Sequence, residues 1–103
     1  MPNDRAALEA RWLDLTRRIM PALAPERGWP VRADHCFQRI LLDRACGGVW
    51  YDHISKRPAY AHASDDVLRA AVETGEAAVA GSANLAALNA RSLEWRRARK
   101  GRG

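Results

Sequence analysis

The stretch from Asp34 to Cys46, DHCFQRILLDRAC, constrains the fold more than any other part of the chain. Cys36, Phe37, Ile40, Leu41, Leu42, Ala45 and Cys46 fall on nearly every side of a helical wheel. A helix that is apolar almost all round belongs at the centre of a bundle, with other helices covering its faces. Asp34 is a suitable N-cap. Gly47-Gly48 stops the helix, one glycine being free to take the left-handed position after the last turn.

Periodicity shows what covers this helix. Leu8, Trp12, Leu15 and Ile19 recur at helical spacing over residues 4–20, with Asn3 or Asp4 available to cap the start. Pro21 ends or kinks that helix, and APERGWPV reads as a loop because Pro25, Gly28 and Pro30 interrupt regular structure. Ser64, followed by Asp65 and Asp66, starts a third helix over residues 65–80, with Leu68, Ala71, Val72, Gly75 and Val79 on its apolar face. Gly81 ends it and Ser82 caps a fourth, which runs to residue 98 with Leu85, Leu88, Ser92 and Trp95 on one stripe. So short a connection predicts an antiparallel hairpin. VWYDHI reads as a short helix or turn, since a lone strand would have no partner, and SKRPAYAHA reads as a loop. The expectation is an all-α fold: a single small bundle of about four helices with a central buried helix and a C-terminal antiparallel hairpin. It divides into one helical domain, residues 1–98, and a basic flexible tail, residues 99–103.

A chain of 103 residues with 48% apolar side chains suits one soluble domain with one modest core. No run approaches the ~20 apolar residues of a membrane helix. The first residues alternate charge and alanine, unlike a signal peptide. A cytoplasmic location is expected, with Cys36 and Cys46 as free thiols. The net charge of +5 is confined to one end. Residues 91–103 hold six basic side chains against Glu94, and the rest of the chain is neutral.

Residues 33–62 contain both cysteines, all three histidines and both tyrosines. For metal binding the candidates are His35, Cys36, Cys46, His53, His62, Asp34 and Asp52. Structural zinc uses closely spaced ligand pairs, and none is present, so no metal or other cofactor is expected. Cys36 lies near a helix N-terminus, where the dipole lowers a thiol pKa. Its neighbour His35 points about 100° away around the helix and is badly placed as a base. No known local signature frames the thiol, so no catalytic residue is assigned and an enzyme is not favoured.

A pocket is the more informative reading. Arg39, Trp50, Tyr51, His53, Arg57, Tyr60 and His62, with Gln38, mix aromatic bodies with polar tips, as ligand sites do. Arg39 and Arg57 can clamp a carboxylate or phosphate. The competing reading is that Trp50 and Tyr60 plug the open end of the bundle while the polar groups cap helices. Nucleic acid is a separate alternative, carried by Arg91, Arg96, Arg97, Arg99 and Lys100 beside Trp95. The same residues also suit a solvated helix end, where positive charge complements the dipole.

The segments DHCFQRILLD, ACGG, WYDHI and RPAYAHA, preceded by WLDLTRR and followed by NLAALNARSLEWR, resemble a family of small bacterial helical proteins of unknown function. Members are sometimes labelled acetyltransferases of the GCN5-related type. That label implies acetyl-CoA and a mixed α/β fold. The chain departs from it: the R/Q-x-x-G-x-G/A pyrophosphate loop is missing, Gly47-Gly48 follows a helix, and no run of strands supplies a sheet. The resemblance supplies no site residues. The expected function is therefore binding of a protein partner or small ligand near the loop after the central helix. Weak nucleic-acid binding and an acetyltransferase-like activity are the alternatives, and no membrane partner is expected.

Overall fold

The computed structural model describes residues 4–102. Six α-helices account for most of them: α1 (Asp4–Asp14), α2 (Met20–Arg27), α3 (Asp34–Cys46), α4 (Ala59–His62), α5 (Asp65–Ala80) and α6 (Leu85–Arg102). A π-helical segment, Leu15–Ile19, joins α1 to α2, and a 3₁₀ turn, Trp50–Asp52, follows α3. There is no strand among the described residues. The all-α bundle is the observed architecture. The sheet that an acetyltransferase fold requires is not built by these residues.

Helix α3 is the centre. Phe37, Ile40 and Leu41 are fully buried and Leu42 nearly so. It packs on α5, α6, α2 and the π segment. Trp12, Leu15, Met20, Leu68, Ala71 and Val72 close around it. Burying each large side chain contributes roughly 1.5–3 kcal/mol. The helix ends as its sequence indicates: Gly47 takes φ 70°, and the N–H of Gly48 reaches back to Asp43 O at 3.1 Å. At its start Asp34 sits one residue inside the helix, and its carboxylate accepts from the N–H of His35.

The first helical stretch is longer than the prolines suggest. It passes Pro21 and Pro25 and stops at Gly28, which has φ 63°. In an unbroken α-helix Pro21 would lack its bond and its ring would press on a carbonyl one turn back. The π segment removes the conflict. Met20 N–H donates to Leu15 O, five residues back, so the residue without an N–H falls at the seam where the α-helix restarts.

Two further corrections concern the second half of the chain. Ser64 caps α5 as expected, its hydroxyl accepting from Val67 N–H at 3.2 Å. The cap of α6 is Asn84, which accepts from Ala87 N–H, whereas Ser82 donates back to Ala77 O. Helix α6 then lies chiefly on α3 rather than closing a tight hairpin with α5. It runs on to Arg102, so residues 99–102 are helical where a tail is expected. The segment read as a loop, residues 55–63, includes the short helix α4. No helix is long and apolar enough to cross a membrane among the described residues.

Candidate functional site

The polar chemistry of the bundle is organised around a carboxylate that sequence reasoning overlooked. Asp43, in the last turn of α3, is completely buried. It accepts four hydrogen bonds: from Trp50 N–H at 2.9 Å, Ser92 Oγ at 2.6 Å, and Arg96 Nε and Nη2 at 2.9 and 3.1 Å. The Ser92 hydroxyl also accepts from Arg39 Nη1 at 2.7 Å, and Arg39 Nη2 donates to Asn89 Oδ1 at 2.7 Å. This network ties α6 to α3 and caps the 3₁₀ turn. A buried carboxylate persists only when paired and hydrogen-bonded to this degree.

Beside this network a cleft of about 220 Å³ opens between α1, α3 and the segment before α4. Trp12, Leu42, Trp50, Pro58 and Tyr60 supply its apolar wall. His35, Gln38, Arg39 and Arg57 supply its polar groups. Gln38 is held by a bond to Thr16 Oγ1 at 3.1 Å, and Thr16 in turn donates to Trp12 O. Arg57 lies over the Trp50 ring at 5.1 Å from its centroid. The far side is fastened from α1: Arg5 donates to Tyr60 O, Glu9 and Asp65, each at 2.8 Å. Such ties set the shape of a loop that carries few core side chains.

Four of the residues singled out from sequence, Arg39, Trp50, Arg57 and Tyr60, meet at this cleft. Tyr51, His53 and His62 do not line it. Tyr51 faces the other way, with the guanidiniums of Arg96 and Arg99 at 5.3 and 4.7 Å from its ring centroid. His53 and His62 are exposed. Trp12 and Asp43 went unrecognised as functional groups because each sits in an apolar helix pattern.

Three basic residues of α6 are engaged. Arg96 holds Asp43, Arg99 holds Asp52 at 2.8 Å, and Arg91 pairs with Glu94 while lying over Trp95. Arg97 and Lys100 remain as solvent-facing charges without an ion pair among the described residues. Arg96 and Arg99 thus fasten α6 to the body, while Arg91 is held within α6 itself. Among the described residues no three His, Cys, Asp or Glu side chains come together as a metal site.

Cys46 is half-buried at the end of α3. Burial, and secondarily the Asp43 charge, push its thiol pKa up. A raised pKa leaves less thiolate at neutral pH, and thiolate is the reacting form. Iodoacetamide at pH 7.5 should therefore modify Cys46 several-fold more slowly in the folded chain than in the urea-unfolded chain, as read by mass spectrometry. Equal rates would show that burial does not protect it.

No protein-family model, no curated protein and no solved structure matches this chain.

Proposed function

We propose that this chain is a small-ligand-binding protein whose site is the cleft between α1, α3 and the segment leading into α4. The observation that carries the reading is convergence. Two guanidiniums, an imidazole and a carboxamide gather with three aromatic side chains around one concavity. An apolar wall with a few convergent polar groups is the usual make-up of a ligand site. The groove between α5 and α6 is larger, at about 520 Å³, but more open, and alanines make up much of its lining with no aromatic among them. The fold also favours binding over acetyl transfer, because the described residues form helices alone.

The test is an NMR screen of fragment-sized molecules against the ¹⁵N-labelled chain. Binders are expected to move the indole signals of Trp12 and Trp50 and the backbone signals of residues 57–60. Ala59→Phe, which places a ring at the cleft wall, should abolish those responses with little change in melting temperature. Binders that instead move only Ala70, Ala77 and Leu88 would transfer the site to the groove and end this reading.

A further inference from the structure

We infer that the ligand of the cleft is a small organic anion, a carboxylate or phosphate monoester on a short apolar body. The inference rests on reading the cleft as the ligand site, and four observations support it.

The first is charge. Arg96 takes the Asp43 carboxylate with two hydrogen bonds. Arg39, half-buried beside it, reaches only the neutral acceptors Ser92 Oγ and Asn89 Oδ1. Two arginines therefore lie beside one buried carboxylate that only Arg96 contacts, and Arg39 lacks a counter-charge. Arg57 adds another positive charge, and no carboxylate among the described residues pairs with it or with Arg39. A partly desolvated guanidinium without an anion is unfavourable, and an anion entering the cleft removes that deficit.

The second is an unused donor. Trp12 is fully buried, its side chain forms part of the cleft wall, and its indole N–H has no acceptor. Buried indole N–H groups normally find one. An anionic oxygen would serve once the wall shifts enough to uncover this N–H, which has no accessible surface in the structure. The third is geometry. Arg57 Cζ lies 5.1 Å from the Trp50 ring centroid, and no hydrogen bond or ion pair occupies its guanidinium among the described residues, so its donors are left to grip carboxylate or phosphate with two parallel bonds. The fourth is size. Leu42, Trp50 and Pro58 offer apolar contact within a cleft of about 220 Å³, below the roughly 300–1,000 Å³ of pockets that hold drug-sized ligands. One ring or a short chain fits behind the charged head.

The experiment is an NMR titration of the full chain with sodium benzoate, phenyl phosphate and benzyl alcohol. These share a ring and differ in the head. The Trp12 indole signal is assigned by its loss in Trp12→Phe. Benzoate or phenyl phosphate is expected to move that signal saturably downfield in the millimolar range, with benzyl alcohol at least tenfold weaker. Which anion binds more tightly identifies the head. Arg57→Met, at an exposed position, should weaken the anion at least tenfold, leave benzyl alcohol unchanged and leave the melting temperature in place. Benzyl alcohol binding as tightly as benzoate, or an Arg57→Met chain that binds benzoate as well as the parent, would overturn the anion while sparing the cleft. No response of any cleft signal to all three compounds would overturn both.

Discussion

Asp43→Ala is expected to cost about 3–5 kcal/mol, the largest effect of any single polar substitution in this chain. The carboxylate is completely buried and accepts four hydrogen bonds, two of them from Arg96, whose own side chain is only 26% exposed. Removing it leaves the guanidinium of Arg96 and the hydroxyl of Ser92 without their acceptor in a site that water reaches poorly. The cost is mainly that of the stranded partners, rather than the worth of the pair itself. For a domain of about this size each kcal/mol moves the melting temperature by roughly 4–8 °C, so a fall of more than about 10 °C should be seen by circular dichroism. Arg96→Ala should be similarly harmful, because it leaves the charge buried. The double variant should cost clearly less than the two singles added, since each single already breaks the shared contact. A loss below about 1 kcal/mol for Asp43→Ala would mean that the carboxylate is hydrated and not a keystone.

Leu41→Ala is expected to cost about 2–5 kcal/mol, measured by urea unfolding. Leu41 is fully buried on the face of α3 that meets α5. Its partner there is Gly75, where an added Cβ would lie 3.1 Å from Leu41 Cδ1 and 3.4 Å from Leu15 Cδ1. An alanine there would require the ends of Leu41 and Leu15 to give by a few tenths of an ångström. Gly75→Ala alone sets a helix-propensity gain of about 1 kcal/mol against an overpacking cost of about 1–3 kcal/mol, and should be neutral to harmful. In the Leu41→Ala background the same methyl enters vacated space. The second substitution should then stabilise, giving a favourable coupling of about 1 kcal/mol or more. Strict additivity would show that Leu41 and Gly75 do not share the contact.

Much of the bundle was readable before any coordinates, for identifiable reasons. Helices α3 and α5 carry their own punctuation: an acid in the first turn of α3, a serine cap on α5, and a left-handed glycine after the end of each. Their apolar faces leave little choice of what to bury. The prolines misled because their cost depends on register, and a π turn five residues long absorbs Pro21 without ending the helix. A local rule about proline does not contain that option. The packing of α6 was hidden for a different reason. Ser92 on its apolar stripe and Asp43 within the central buried helix are each odd in isolation, and each explains the other. They lie 49 residues apart, so no local pattern links them. The candidate site divided along the same line. Arg39 and Arg57 reach the cleft, while Tyr51 turns toward arginines of α6 whose position no spacing rule could supply.

The Asp43 network also imposes an order on synthesis. Asp43 is made 53 residues before Arg96, its only ion-pair partner among the described residues. At a ribosomal rate of roughly 5–20 residues per second, that gap lasts about 3–10 s. Late in that gap, once residues 65–80 have been made, the nascent chain holds α1, α2, α3 and α5, enough apolar surface to collapse. The helix at the middle of that collapse carries an uncompensated negative charge. The intermediate can hide Leu41 and Phe37 but must keep Asp43 wet, so one flank of α3 stays open to water. Only when residues 92 and 96 have been made can α6 close it. A chain cut before residue 92 lacks both Ser92 and Arg96, which leaves Trp50 N–H as the one remaining donor to Asp43 among those seen in the structure.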